Sequence, residues 1–395
     1  MSLYTTQAPI TITCNKRLAP YVEQEVRELG FTVDSTFVTG VTCTGTINDC
    51  IRLNLNLRCA SQVLYRLDTF RAHDADDVYN RVVSYPWESI IPETEYFSVT
   101  SNVSNPTINT NLFANLRVKD AIVDRLREKT GQRPLTGPEL TGAVIHLFWK
   151  NDYAEMFVDT SGDSLARHGY RKIPGRAPML EALASATIYA TSWDQESPFV
   201  NPMCGSGTIA IEAAMIATNR RPGLFRTNYG FMHLQGYNED VYLHEDAMLE
   251  TKIVEKNELR IIATDYSGAA IDNAKKNAVA AGVANLIDFS VCDFAETEIP
   301  QDVPGVFYVN PEYGARLGDI TELEKTYGRI GDFMKQKCEG YFGYIFTGNM
   351  ELAKKVGLKA KRRIEFYTST IDCRLLEYEL YKGSKSNAQL FPKNL

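Results

Sequence analysis

The sequence predicts an α/β protein. Its C-terminal half reads as a doubly wound sheet preceded by two smaller α/β units, and three stretches carry that prediction. Residues 199–217 run a short apolar segment into a glycine-bearing loop, then into an Ala/Ile-rich helical pattern from Thr208. That is strand, tight turn and helix, the unit that opens a doubly wound sheet and binds a nucleotide-like ligand. Residues 259–265 and 287–293 read as strands that each end in an acid, Asp265 and Asp293. Residues 306–314 form a further strand pattern that runs into Asn310-Pro311-Glu312-Tyr313.

At 395 residues the chain exceeds one ordinary core, so two or three domains are expected. The hydrophobic share of 44% and the charged share of 23% are those of a globular protein. With no apolar run of about 18 residues, no membrane span is expected. The first residues lack a basic region followed by an apolar one, so no signal peptide is read. The eight cysteines are scattered without a C-x-x-C pair, and the Cys43/Cys50 spacing fits no common zinc site. Reduced thiols, no metal and a cytoplasmic location are the expectation. The net charge of −7 argues mildly against nucleic acid, yet the basic residues cluster. Clusters fall at Arg117, Lys119, Arg125, Arg127, Lys129 and Arg133, at Arg167, Arg171, Lys172 and Arg176, at residues 220–226, and at residues 354–363. Local patches rather than the total charge set phosphate contacts.

In chain order, residues 8–65 give a strand over 10–14, a helix over 18–29 stopped by Gly30, a strand over 37–43 and a helix over 48–63. Residues 66–160 give a strand over 96–101 and an amphipathic helix over 112–129, with Leu112, Leu116, Ile122 and Leu126 near one face. A hairpin over 143–158 turns at residues 150–152. The polar stretch 161–175 marks a boundary, and a helix over 177–193 leads into the glycine loop. Residues 219–257 interrupt the α/β pattern and read as an insertion on the cofactor face. Helix 269–281, strand 341–347 and a hairpin over 362–381 complete the sheet.

In such a sheet ligands sit outside the carboxyl ends of the strands, where strand order reverses. Gly205 and Gly207 let the backbone approach a ligand, and the first N–H groups of the helix face it. Asp265 suits a ribose diol and Asp293 an adenine amino group. A nicotinamide dinucleotide and S-adenosylmethionine both fit this loop. Asn310-Pro311-Glu312-Tyr313 favours the second, because hydride transfer gives it no role. An Asn side-chain oxygen and the next backbone carbonyl can accept both N–H groups of an aromatic amine. That aims the nitrogen lone pair at a sulfonium methyl. Tyr313 can stack on a flipped-out base.

The loop Asn201-Pro202-Met203-Cys204-Gly205-Ser206-Gly207-Thr208 and its helix resemble those of THUMP-containing RNA methyltransferases, specifically the large-subunit rRNA guanine-N2 methyltransferase family of the RlmL N-terminal-half type. Residues 116–124, 159–171 and 370–378 are similar to that family's THUMP helix, its joint into the catalytic domain and its closing hairpin. The resemblance covers nearly the whole chain. It implies a ferredoxin-like domain over 1–65, a THUMP RNA-binding domain over 66–160 and a Rossmann-like S-adenosylmethionine-dependent methyltransferase domain over 161–395. By the same resemblance Asn310, Pro311 and Tyr313 are catalytic. Pro178, Asn201, Pro202, Cys204, Gly205, Gly207, Thr208, Asp265, Asp293 and Asn310 bind the cofactor. Arg117, Lys119, Arg125, Arg127, Lys129 and Arg171 contact structured RNA, either rRNA or a ribosomal precursor particle. The departure is Glu312, where the family usually has a second proline that fixes φ. Adenine-N6 methylation of RNA or DNA, a non-catalytic RNA-binding protein and a nicotinamide dehydrogenase are the alternatives, in that order.

Overall fold

The computed structural model describes residues 3–108, 110–173, 178–314 and 320–381. Arg176 of the second basic cluster and Ala177, the expected start of a helix, lie outside the described residues. The chain divides into two units: residues 1–168 with 221–252, and residues 169–220 with 253–395.

The first unit is built on β1 (Ala8–Thr13), α1 (Ala19–Glu28), β2 (Val33–Phe37), β3 (Gly40–Gly45), α2 (Ile47–Asn56), β4 (Gln62–Arg71), α3 (Ala75–Val83), β5 (Phe97–Ser104), α4 (Asn111–Thr130), β6 (Ala143–Lys150) and β7 (Tyr153–Asp159). All seven strands join one sheet in the order β2-β3-β1-β4-β7-β6-β5. The β5–β6 pair is parallel, and the other pairs are antiparallel. The alternation of β1 puts Ile10 and Ile12 in the core. Thr46 and Asp49 close a capping box at the start of α2.

Three expectations change here. The stretch read as one strand over 37–43 is a hairpin turn, with β2 ending at Phe37 and β3 starting at Gly40 opposite it. Helix α2 stops at Asn56 instead of running to residue 63. The cause is tertiary: the buried carboxylate of Glu25 accepts hydrogen bonds from the backbone N–H of Arg58 (3.0 Å) and Cys59 (2.9 Å). Those bonds draw residues 57–60 out of the helical path. In α4, Val118, Ala121, Ile122 and Leu126 are buried, but Leu112 is 68% and Leu116 44% exposed.

The second unit opens with α5 (Glu181–Tyr189), β8 (Phe199–Pro202) and α6 (Thr208–Ala217). The chain then contributes α7 (Glu239–Thr251) to the first unit. The segment read as an insertion is therefore part of the N-terminal unit. Arg226 donates to the carbonyls of Asp163 (2.8 Å) and Ser164 (3.0 Å), binding the returning chain there. The second unit continues with β9 (Ile261–Asp265), α8 (Gly268–Ala280), β10 (Ile287–Val291), β11 (Val306–Val309), α9 (Ile320–Lys337), β12 (Phe342–Thr347), α10 (Met350–Lys355), β13 (Arg362–Thr368) and β14 (Ile371–Glu379). Its sheet runs β10-β9-β8-β11-β12-β14-β13. Strands β8 to β12 pair in parallel, and β14 enters antiparallel between β12 and β13. Strand order reverses between β8 and β11, which makes the ends of those two strands the ligand crevice. Helix α6 is buried along its whole length, with Glu212 its one charged residue, so its hydrophobic pattern reports a core position rather than one face. Val200, Phe307, Val309, Phe333 and Ile345 are among the residues of the core between sheet and α9.

Among the described residues no helix is long and apolar enough to cross a membrane, and no group of three His, Cys, Asp or Glu is placed to hold a metal ion. All eight cysteines are free thiols.

Candidate active site

The loop after β8 is shaped by left-handed backbone. Met203 has φ 57°, Gly205 φ 57° and Gly207 φ 83°. At Gly207 an added Cβ would sit 2.9 Å from Cβ of Ala274 on α8, so only glycine lets the loop close against that helix. At Gly205 nothing lies within 4 Å of such a Cβ, so that side of the loop opens onto free space. Asp265, at the end of β9, fastens the loop. Its Oδ2 accepts from Gly205 N (2.9 Å), its Oδ1 from Ser267 N (3.0 Å), and Cys204 N donates to the Thr264 carbonyl (2.9 Å). Each carboxylate oxygen keeps accepting capacity beyond these bonds. Burial first, and the charge of Asp265 second, push the Cys204 thiol far above its ordinary pKa, so it is a neutral packing group.

One strand over, the amide of Asn201 is buried and its Nδ2 donates to the Tyr308 carbonyl at 2.8 Å. This bond crosses between β8 and β11 where strand order reverses. The Oδ1 atoms of Asn201 and Asn310 are both buried without a hydrogen-bond partner among the described residues. Buried amide oxygens are normally satisfied, so each of these two is open to a water or a ligand group. The two oxygens lie at the carboxyl ends of adjacent strands. Pro311 is buried, Tyr313 half-buried and Glu312 exposed.

Asp293 begins a 3₁₀ turn after β10. Its Oδ1 accepts from Ala295 N (2.9 Å) and from the Arg329 guanidinium (2.6 Å), which also lies over the Phe294 ring at 4.7 Å. Next to Asp265, Tyr266 is 79% exposed, a bare ring beside the acid. Pro178 is exposed, ahead of α5.

The expected RNA contacts divide. On α4, Arg117 pairs with Asp76 and lies 4.5 Å over the Tyr79 ring. Lys119 pairs with Asp120 (3.1 Å) and Lys129 with Glu128 (3.0 Å). Arg125 grips Glu88 with two bonds, 3.0 and 2.6 Å. Arg127 has no ion-pair partner among the described residues. Most of this helix's positive charge is therefore already shared with neighbouring carboxylates. Arg171 has a different place from the one expected: it is inside the second unit, where its guanidinium donates to the Met179 carbonyl (2.5 Å) and Thr208 Oγ1 (2.9 Å), 3.5 Å from buried Glu181. With a side chain only 12% exposed, it braces the first turn of α6.

Three residues of this site escape sequence reasoning. Arg329, Gly348 and Asn349 touch it only because α9 and the end of β12 fold back onto it. Their neighbours in sequence carry no signal.

Family models match in three consecutive blocks: a ferredoxin-like domain of the RlmL type over residues 9–64, a THUMP domain over 72–159, and an RMKL-like methyltransferase domain over 168–377. A ribosomal RNA large subunit methyltransferase K/L of Syntrophotalea carbinolica is 34% identical over 384 residues, 94% of this chain and 54% of the relative. The chain thus spans about half the length of that relative. A Synechocystis protein named as an RNA methyltransferase is 32% identical, covering 95% of this chain and 98% of its own. Among solved structures, SMU.472, described as a methyltransferase complexed with SAH, superposes with a TM-score of 0.86 at 26% identity over 96% of this chain and all of that one. A Listeria monocytogenes protein described as a predicted N6-adenine-specific DNA methylase does so with 0.86 at 29% identity, over 96% of this chain and 97% of that one.

Proposed function

Because this chain belongs to the RMKL-like methyltransferase family, carrying RlmL-type ferredoxin-like and THUMP domains ahead of the catalytic one, we propose that it methylates an exocyclic base amine in structured RNA, guanine N2 of large-subunit rRNA. The observation that carries the reading is the Oδ1 of Asn310, buried and without a hydrogen-bond partner among the described residues, at the end of β11, the strand beside the glycine loop.

S-adenosylmethionine supplies an electrophilic methyl group. The residues present fit it: an open glycine loop, a carboxylate with accepting capacity left, and an amide oxygen at Asn201 without a partner among the described residues. Gly205 and Gly207 would line its methionine end and Asp265 would accept from its ribose. Among the described residues the Oδ2 of Asp293 accepts no hydrogen bond, and it would accept from an adenine amino group. Asn310 Oδ1 and the Pro311 carbonyl would accept the two N–H groups of the target amine. That turns the nitrogen lone pair out of conjugation and stabilises the positive charge that builds on nitrogen. Tyr313 would stack on the base. The nitrogen becomes acidic once methylated, so water can take its proton and no strong base is needed at this site.

Guanine N2 comes first because the sequence resemblance implies it, and the exposed Glu312 would reinforce that choice if its carboxylate faced the base. Guanine places the N1–H donor beside its N2 amine, whereas adenine places an acceptor, N1, beside its N6 amine. A carboxylate next to the amine site attracts the first and repels the second. The rRNA target comes from the names of the curated relatives. Adenine N6 is the second reading, because the Asn-Pro-x-Tyr arrangement serves that amine too and the Listeria neighbour is described as acting there. Mass mapping of rRNA nucleosides from cells with and without the protein decides. Loss of one N2-methylguanosine in the large subunit is expected. Loss of an N6-methyladenosine instead selects the second reading, and an unchanged map refutes both.

A further inference from the structure

Tyr313 has a seat that no motif describes. Val309 on β11 lies opposite Ile345 on β12, so the loop after β11 runs beside the turn at residues 347–349. At Gly348 an added Cβ would stand 3.0 and 3.1 Å from Cε2 and Cδ2 of the Tyr313 ring and 2.8 Å from Cγ2 of Ile371. The flat of the backbone at Gly348 therefore forms one wall of the space the ring occupies. The same turn holds the loop's backbone, since Asn349 Nδ2 donates to the Tyr313 carbonyl at 3.5 Å.

The turn is itself rigid. Thr347 is fully buried, its Oγ1 shares a 2.8 Å hydrogen bond with Tyr327 OH, and it accepts from Asn349 N at 3.1 Å. Asn349 Oδ1 caps α10 by accepting from Glu351 N (3.0 Å) and Leu352 N (3.1 Å). A wall tied to a core strand on one side and a helix on the other cannot retreat cheaply from a new methyl group. The half-buried side chains of Tyr313 and Ile371 are the groups that must yield.

We propose that Gly348 and Asn349 are positioning residues for methyl transfer, setting the plane of the Tyr313 ring against which the target base stacks. This rests on the base-stacking role given to Tyr313 above. A methyl group at 348 tilts the ring by displacing the edge that faces the turn. The base it supports then moves relative to the methyl donor, and misplacement of about 1 Å is enough to lose on the order of 100-fold in rate.

The test is a double-mutant cycle on the full chain, using tritiated S-adenosylmethionine and rRNA extracted from cells lacking the protein. Gly348→Ala is expected to lower kcat about 10- to 100-fold while the dissociation constant for S-adenosylmethionine and the thermal midpoint stay near wild type. Tyr313→Phe keeps the ring, so Gly348→Ala is expected to lower its kcat by a like factor. In a Tyr313→Ala background, Gly348→Ala should cause no further loss, because the group through which it acts is gone. If Tyr313→Ala is impaired but Gly348→Ala transfers methyl at the wild-type rate, or adds its full loss in the Tyr313→Ala background, the seat is overturned and the active-site reading stands. If Tyr313→Ala transfers methyl at the wild-type rate, the stacking role fails and the seat fails with it.

Discussion

Asn310 and His146 show how a single side chain takes its role from its surroundings. The carboxamide oxygen of Asn310 is buried without a partner among the described residues, which makes it an acceptor waiting for a donor. Asn310→Ala should lower methyl transfer by about 10²- to 10³-fold, the usual effect of losing one preorganised polar group. Equilibrium binding of S-adenosylmethionine should be largely kept. Full activity of this variant refutes the amine-holding role. His146 sits on β6, and its Nδ1 is 2.8 Å from Thr100 Oγ1 on the adjacent strand. Burial pushes its pKa down from 6.5 to about 4. An unfolded chain would bind a proton between those values while the folded chain would not, so stability is full above pH 6.5 and falls as pH drops toward 4. By pH 5 the loss is about 2 kcal/mol, since binding one proton to the unfolded chain alone is worth about 1.36 kcal/mol for each pH unit below 6.5. Urea midpoints at pH 7.5 and 5 should therefore differ less in His146→Gln than in wild type, and an equal difference rules the effect out. The sequence pointed to Asn310 because a strand end, an amide and an aromatic make a recognisable run. Its reading of Arg171 as an RNA-binding residue did not anticipate that the guanidinium turns inward to Thr208. A basic residue in a polar stretch looks the same on paper whether it faces water or a buried glutamate.

Helix α4 is the element on which the RNA-binding reading depends. Its basic residues are mostly paired, with Asp76, Asp120, Glu88 and Glu128. A phosphate backbone would have to compete with these carboxylates for the same donors. Charge reversal at Arg117, Lys119, Arg125 and Arg127 together should weaken rRNA binding and flatten its dependence on salt, by up to about one unit of slope for each phosphate no longer neutralised. Filter binding between 50 and 200 mM salt measures this, and unchanged affinity removes α4 from the interface. The helix itself was legible from its period, but which apolar residues it buries was not. Leu112 and Leu116 satisfy the spacing yet remain exposed, because the buried face of the helix runs through Ala114, Val118, Ala121, Ile122 and Leu126 instead. Helix α2 shows the complementary limit. Its pattern continued past residue 56, and a carboxylate from α1 ended it.

At the scale of the whole molecule, the chain leaves its first unit at residue 168, builds part of the second, and returns at residues 221–252. Residues 1–168 expressed alone should therefore unfold at lower urea than the same residues carrying 221–252 on a flexible linker. Equal midpoints would mean the returning segment adds nothing to that unit. By itself the sequence determined the α/β fold class, the glycine loop after β8, Asp265 at the end of β9, Asp293 just past β10, and the Asn310-Pro311-Glu312-Tyr313 run after β11. It could do so because each is a local pattern whose residues are neighbours along the chain. Only the tertiary structure decided where the returning segment belongs, that Arg171 braces α6, that Arg329 grips Asp293, and that Gly348 walls the Tyr313 ring. Each of those joins residues tens of positions apart, and their meeting depends on strand order and register, which no local pattern encodes. The glycine loop was visible from the start; what holds the tyrosine across from it was not.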